Sequence, residues 1–325
     1  MTETILVATD GSDSAMGALR TAYLLSLRDG TRVEMLAVCP PAEIYGTGSA
    51  EAAAGYPARV LATSVDALTE RVHHQLQVLG GQASSWPIAV EVGAVAATIA
   101  RTAAHHEAAL IVMGLASHSG IERWLARETL LRVIHLANVP VLAVDPERRE
   151  LAHRVVVATD FSDFSRRAIR SALHVAAPDA QIHLVHVTWA RPADGSWTDS
   201  DRWVQTYRTG VGHRLQALAA ELAEGTRLGV HTHVLEGDPG GELLNFAKET
   251  DAELLVAGSH GSGFLGRIML GSVSSRLVHG TRCSLLIAPP KARARELDAS
   301  MVQEEVIAEL GRAGEMFMVD GPDRS

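Results

Sequence analysis

The chain has 325 residues and a formal net charge of −9, and 47% of its residues are hydrophobic while 21% are charged. This length is enough for about two domains, and the composition is typical of globular proteins. The acidic balance argues against nucleic-acid binding, which requires a basic face for the phosphates. The longest apolar runs are much shorter than the ~18 residues of a membrane span, so we expect no membrane segment.

The two cysteines, Cys39 and Cys283, form no CxxC motif. Their scarcity fits a reducing compartment and excludes a cysteine-based metal site. The N-terminus has no basic region followed by a small-residue cleavage site, so we expect a cytoplasmic protein. The 15 histidines lack the spacing of metal ligands, and we interpret them as residues of the surface and of helix faces.

Two halves of the chain repeat one pattern in the same order. Residues 5–22, ILVATDGSDSAMGALRTA, match 154–172, RVVVATDFSDFSRRAIRSA, and share the motif Ala-Thr-Asp. Such an internal match indicates a tandem duplication. We predict repeat one at 1–147 and repeat two at 152–290, with a polar linker at 146–154. Three further apolar segments also match in order, 33–38 with 182–187, 108–114 with 252–258, and 139–146 with 283–290.

Each repeat alternates short apolar runs with segments of helical periodicity. The apolar runs do not alternate with polar residues, which indicates strands that are covered on both faces. The helical pattern predicts helices over 14–28, 59–79, 166–176 and 203–224. The predicted fold class is therefore α/β, with two tandem doubly wound domains that each contain a parallel sheet.

A glycine-rich segment, GSHGSGFLGRIMLGS, runs from Gly258 to Ser272 after the next-to-last predicted strand. Its GxGxxG is not a dinucleotide fingerprint, because residues 280–290 hold no acidic residue for a ribose. Its last residues lack the lysine of a Walker loop. The remaining pattern is G-x2-G-x9-G-[ST], which is formed by Gly258, Gly261, Gly271 and Ser272.

This spacing, together with Ala-Thr-Asp after the first strand, resembles the ATP-binding branch of the universal stress protein family. The resemblance covers both repeats and implies a Rossmann-like domain of the adenine nucleotide alpha hydrolase type. It implies an adenine nucleotide as ligand, above all ATP, alone or with Mg²⁺. The nucleotide-binding residues predicted on this basis are Thr159, Asp160, Val187, Ala257, Gly258, Gly261, Gly271, Ser272, Val273 and Ser274.

General physical chemistry gives the same residues a role. Ligands of open α/β sheets bind at the carboxyl ends of the strands, where Gly258 and Gly261 allow the backbone to approach closely. The segment 271–274 opens a helix whose N–H groups favour a polyphosphate, and we expect the hydroxyls of Ser272 and Ser274 to add donors. Arg267 and Arg276 either offset phosphate charge or are ordinary surface residues.

Repeat one has lost most of these glycines in the matching segment 114–128, GLASHSGIERWLARE. Arg127 and Glu128 stand where repeat two has Gly271 and Ser272. We expect Glu128 at a helix start, where its carboxylate repels phosphate. Thr9-Asp10 remains and leaves room for a nucleoside, but we predict a structural repeat that does not bind ATP.

The function we expect is that of a universal stress protein that binds ATP in repeat two and acts as a stress-response regulator or sensor. No general base is identifiable, although weak ATPase activity stays open. One alternative is a slow ATPase or adenylyl-transferring enzyme of related fold. The other is a ligand-independent interaction scaffold that works through its tail.

Two further segments bear on partners. The last strand of each repeat is apolar and would be an exposed edge, which invites pairing with another edge. The family resemblance implies pairing through this strand, in a homodimer or in an intramolecular pseudo-dimer. The tail, 291–325, has an apolar stripe of helical period, so we predict an amphipathic helix that packs on the protein. The alternatives are an arm that binds an unknown protein partner and a disordered tail.

Overall fold

A computed structural model describes residues 3–40, 58–115, 121–188, 200–259 and 271–289. In repeat one, the elements are β1 (Thr4–Thr9), α1 (Met16–Asp29), β2 (Arg32–Cys39), α2 (Ala58–Leu79), β3 (Ile88–Val92), α3 (Val95–His105), β4 (Ala108–Gly114), α4 (Ile121–Leu136) and β5 (Val141–Val144). In repeat two, they are β6 (Ala152–Ala158), α5 (Asp163–Val175), β7 (Ala176–Thr188), α6 (Ser200–Ala223), β8 (Gly229–Glu236), α7 (Pro239–Glu249), β9 (Leu254–Gly258), α8 (Ser272–Gly280) and β10 (Ser284–Ala288). The predicted tail, 291–325, lies outside the described residues.

These strands form a single sheet in the order β3-β2-β1-β4-β5-β10-β9-β6-β7-β8. Within each repeat the strands are parallel and follow the same doubly wound order. The two halves meet where β5 and β10 pair antiparallel, with Leu142 opposite Leu286. The apolar last strands thus cover each other within one chain, which is the pseudo-dimeric pairing that the sequence left open.

The sheet is covered by helices on both faces, as the unalternating apolar runs predict. Ile5 and Val7 of β1 belong to the core on one side, and Leu6 and Ala8 belong to the core on the other. The first core is covered by α1, α2, α5 and α6, and the second by α3, α4, α7 and α8. Each face therefore receives helices from both repeats.

The segment between the repeats is more ordered than a polar linker predicts. β6 already begins at Ala152, and the carboxylate of Glu253 accepts hydrogen bonds from the backbone N–H groups of His153 at 2.6 Å and Arg154 at 3.2 Å. Burial alone raises the pKa of Glu253, but these N–H groups and the guanidiniums of Arg148 and Arg154 outweigh it and lower the pKa. This carboxylate ties the start of repeat two to β9.

Two arginines of repeat one bind the C-terminal ends of helices in repeat two. Arg28 of α1 donates to the carbonyl of Ala176 at 2.7 Å, just after α5. Arg127 of α4 is 4% exposed and donates to the carbonyls of Val278 and Thr281, the latter at 2.8 Å, at the end of α8. A cation at this end of a helix binds the free carbonyls and stabilises the helix dipole.

Three histidines form a cluster on β7 and β8, beneath Phe246 of α7. Nδ1 of His183 and Nε2 of His233 share a hydrogen bond of 3.0 Å, and the rings of His183 and His231 stack at 5.2 Å. Burial, followed by the charge of the neighbouring histidines, lowers the pKa of His183 and of His233 below the ordinary 6.5. His231 is exposed, as expected, whereas His183 and His233 lie partly buried on strands, which the interpretation as surface or helix-face residues did not include.

We expect Arg127→Met to lower the free energy of unfolding by about 1–3 kcal/mol, because two carbonyls at the end of α8 lose a buried charged donor. Urea unfolding measures this change. Arg166→Met on the exposed surface of α5 is the control and should change stability by less than about 0.5 kcal/mol. An equal effect of the two substitutions would show that Arg127 does not join the repeats.

We also expect the free energy of unfolding to fall as the pH drops from 7.5 to 5.5. His183 and His233 bind protons less readily in the folded than in the unfolded chain, so their contribution is present above about pH 6.5 and is lost below it. Each proton changes stability by at most about 1.4 kcal/mol per pH unit. His233→Gln should flatten this dependence in urea unfolding, whereas His73→Gln on exposed α2 should leave it unchanged. A dependence as steep in His233→Gln as in the wild type would contradict this account.

Candidate functional site

Open α/β sheets form a crevice outside the carboxyl ends of their strands where the strand order reverses, and in repeat two this position is at β6 and β9. β6 and β9 are neighbours, and the chain leaves them toward opposite faces, into α5 and α8. Open α/β sheets bind ligands at such a switch point. Thr159 and Asp160 follow β6 directly, and Gly258 ends β9. The structure therefore brings these three predicted residues to one edge.

The loop after β6 holds the carboxylate of Asp160 in place. Its Oδ1 accepts hydrogen bonds from the backbone N–H of Ser162 at 3.0 Å and from the Ser162 hydroxyl at 2.5 Å. The oxygen of Ser162 in turn accepts from the N–H of Ser165 at 3.2 Å and caps α5. Thr159 is buried, and its hydroxyl oxygen accepts from the N–H of Phe161 at 3.1 Å. The result is a partly buried carboxylate in a fixed position at the crevice.

The packing of β9 against α5 explains why residue 258 is a glycine. A Cβ at this position would lie 3.0 Å from Cβ and 3.1 Å from the carbonyl carbon of Phe164, so a larger residue would push β9 and α5 slightly apart. Gly114 meets the same constraint in repeat one, where a Cβ would lie 2.7 Å from the carbonyl oxygen of Ser14. The glycine common to both repeats is thus required by packing, and it does not by itself indicate a ligand.

The first turn of α8 is fastened to the end of β9. The N–H of Gly271 donates to the carbonyl of Ser259 at 2.9 Å, and the Ser274 hydroxyl donates to the carbonyl of Gly258 at 2.8 Å. Ser274 is 2% exposed, and its only hydroxyl hydrogen is used inside the protein. In this structure the hydroxyl positions the helix, and the expectation that it binds a phosphate stays a prediction.

The N-terminus of α8 is suited to an anion. Gly271 is the N-cap and has no side chain that could bind the first N–H groups of the helix. The first backbone hydrogen bond of the helix runs from the N–H of Ser275 to the carbonyl of Gly271 at 3.0 Å. Ser272 is exposed at the first position, and Val273 is partly buried against the core. Backbone N–H groups and the helix dipole here favour negative charge.

The other predicted residues are placed differently. Val187 of β7 is partly buried near the same edge, one strand from β6, whereas the side chain of Ala257 is 3% exposed and packs in the core. Arg276 forms an ion pair of 2.9 Å with Asp238, which caps α7. Its exposed position and partner favour the surface interpretation over phosphate binding. Gly261, His260 and Arg267 lie outside the described residues.

Repeat one differs at the helix that follows β4. Because α4 begins at Ile121, Arg127 and Glu128 are its seventh and eighth residues, and the prediction that Glu128 stands at a helix start is wrong. Arg127 binds the end of α8, and Glu128 lies 3.9 Å from His279 of the same helix. Helix α4 has 16 residues and α8 has 9. In the alignment of the two repeats, α4 starts earlier than α8.

The other half of the crevice is preserved in repeat one. Oδ1 of Asp10 accepts from the N–H of Ser12 at 2.9 Å and from the Ser12 hydroxyl at 2.5 Å, as Asp160 does with Ser162. The carboxylate arrangement is therefore common to both repeats, whereas the helix starts after β4 and after β9 differ.

Two features are absent from the part of the chain that the structure describes. In these residues no three histidine, cysteine, aspartate or glutamate side chains are grouped so that they could hold a metal ion. No helix among them is long and apolar enough to cross a membrane. Both thiols are free, with Cys39 buried and Cys283 partly buried.

A family model, related sequences and solved structures all relate this chain to the same protein family. The family model described as the universal stress protein family matches residues 1–145 and again 152–289. A universal stress protein of Methanocaldococcus jannaschii is 32% identical over 143 residues, which cover 42% of this chain and 82% of that protein. A relative from Mycolicibacterium smegmatis is 25% identical over 309 residues, which cover 88% of this chain and 97% of that protein.

The fold is also found in solved structures. The crystal structure of a universal stress protein from Archaeoglobus fulgidus has a TM-score of 0.59 and 21% identity, and the match covers 88% of this chain and 96% of that one. At this identity the match shows the fold alone. The two family-model matches, which together span most of the chain, show that this protein belongs to the universal stress protein family and contains two tandem copies of its domain.

Proposed function

We propose that repeat two binds an adenine nucleotide, above all ATP, and that the protein acts as a stress-response regulator or sensor through this site. The observation that carries the proposal is the start of α8. This helix begins at a glycine N-cap, and two hydrogen bonds hold its first turn against the end of β9. Such a helix start, at a switch point and beside a fixed carboxylate, is a polar site for a phosphorylated ligand.

Each part of the crevice has a distinct role in this proposal. The N–H groups of Ser272 and Val273, with the Ser272 hydroxyl, bind the phosphates. The carboxylate of Asp160 accepts from ribose hydroxyls or binds the water shell of Mg²⁺, which prefers oxygen ligands. Val187 offers an apolar surface to the base. Gly258 and Ser274 hold β9 and α8 at the distance that this arrangement requires.

The charges around the site favour a nucleotide that brings its own cation. Arg276 is engaged with Asp238, and Asp160 adds a negative charge to the crevice. Phosphate charge is then offset by the helix dipole and by Mg²⁺ bound to the nucleotide. The family resemblance of the Gly258, Gly261, Gly271 and Ser272 spacing supports ATP within this class.

Ser272→Glu should weaken ATP binding at least about tenfold in isothermal titration calorimetry with Mg²⁺, because it places a carboxylate where the phosphates bind. Glutamate is favourable at a helix start, so the fold should be retained. Ser272→Gln is the matched control of equal size without the charge, and it should retain most of the affinity. Equal binding by Ser272→Glu and the wild type would exclude this helix start as the phosphate site.

Asp160→Asn and Asp10→Asn test which repeat holds the nucleotide. Asparagine keeps the acceptor oxygen that Ser162 or Ser12 needs, so the local turn is preserved while the charge is lost. We expect Asp160→Asn to weaken ATP binding about tenfold, since a charged hydrogen bond is lost, and Asp10→Asn to leave it unchanged. The reverse outcome would place the nucleotide in repeat one.

A further inference from the structure

Helix α8 is short, and contacts at both of its ends determine where it lies. It has nine residues, fewer than the ~12–15 that an isolated helix needs to be stable in water. At its start, the Gly271 N–H and the Ser274 hydroxyl donate to carbonyls at the end of β9. At its end, Arg127 donates to the carbonyls of Val278 and Thr281. The first turn is thus held by repeat two itself, and the last turn is held by repeat one.

The contact at the end of α8 is charged and buried. Arg127, Val278 and Thr281 are all buried. The Val278 carbonyl lies in the last turn, where carbonyls have no N–H partner further along the helix. An arginine presents its N–H donors in a rigid planar arrangement, so two hydrogen bonds from one guanidinium hold this end of the helix in one orientation.

The position of Arg127 links the two repeats in an unexpected way. In the ungapped match, Arg127 stands where repeat two has Gly271, the N-cap of α8. In the sequence, this difference indicates only that repeat one has lost a phosphate site. In the structure, the arginine side chain contacts the opposite end of α8. The residue that replaces the glycine in repeat one therefore supports the helix that this glycine begins in repeat two.

The far end of α8 affects the direction of its first N–H groups. At a rise of about 1.5 Å per residue the helix is about 14 Å long, and its backbone hydrogen bonds make it move as one body. Gly271 has no side chain that could hold the first N–H groups independently. A tilt of α8 at Val278 would therefore turn the N–H groups of Ser272 and Val273 away from their present direction.

We propose that Arg127 is a positioning residue for the nucleotide site of repeat two, an inference that rests on the nucleotide binding proposed above. Arg127 binds the opposite end of α8 from the phosphates and has no contact with the ligand in this scheme. By fixing that end, it keeps the N–H groups of Ser272 and Val273 directed at the phosphates. Repeat one thus contributes to the site of repeat two through the position of one helix.

Isothermal titration calorimetry of the full chain with ATP and Mg²⁺ tests this role. Arg127→Met should weaken ATP binding roughly two- to thirtyfold, the range found for coupled residues that contact no ligand. Arg127→Lys keeps the charge without the planar pair of donors, so its affinity should lie between those of the wild type and Arg127→Met. Urea unfolding of each variant gives the folded fraction, so that loss of the fold is not counted as loss of affinity.

Arg28→Met is the matched control. Arg28 also belongs to repeat one and also donates to a carbonyl at the end of a helix in repeat two, that of Ala176 after α5. The start of α5 is capped by the Ser162 side chain, and Asp160 is held by hydrogen bonds within the preceding loop. The ATP affinity of Arg28→Met should therefore stay within about twofold of the wild type.

The outcomes separate this proposal from the nucleotide binding on which it rests. Wild-type affinity in Arg127→Met would overturn the role of Arg127 and leave the nucleotide site in place. An equal loss in Arg127→Met and Arg28→Met would also overturn it, because the cause would then be a general loosening between the repeats. If the wild-type chain binds no ATP, the proposed function fails, and the role of Arg127 fails with it.

Discussion

The antiparallel pairing of β5 with β10 determines how the rest of the molecule is arranged. It buries two apolar edges at the centre of a ten-stranded sheet, and it lets helices of both repeats share each core. Because strands within each repeat are parallel, the two halves of the sheet run in opposite directions, and their carboxyl ends lie at opposite edges. The two crevices therefore cannot contribute to one shared ligand site.

The difference between the repeats follows from where one helix begins. In repeat one, α4 starts well before the position that matches Gly271, and its Arg127 binds the end of α8. In repeat two, α8 starts at a glycine beside the end of β9, which leaves its first N–H groups at the crevice. In this pair of helices, α4 stabilises the contact between the repeats through Arg127. The first N–H groups of α8 favour an anion.

Apolar patterning and the internal repeat predicted the fold class, the parallel strands and the approximate helix bounds. Strands that are buried on both faces have apolar residues at successive positions, and this pattern can be recognised in the sequence. The places of Arg127 and Glu128 were not predictable from an ungapped match, since helix starts depend on tertiary contacts such as those between α4 and α8. The sequence suggested that the Ser274 hydroxyl binds the ligand. Its hydrogen bond to the Gly258 carbonyl could not be foreseen, because the two residues are sixteen positions apart in the chain. The ring of Phe161 packs against Arg214 on α6 and His186 on β7. These three residues come from separate parts of the chain, so no local sequence motif indicates the contact.

We propose that the start of α8 holds the phosphates of one nucleotide per chain. A crystal structure of the full chain grown with ATP and Mg²⁺ would show this. We expect density for one nucleotide, with its phosphates against the N–H groups of Ser272 and Val273 and its ribose beside Asp160. Phosphates bound instead at the loop after β4 in repeat one, or no nucleotide at saturating ATP, would contradict it.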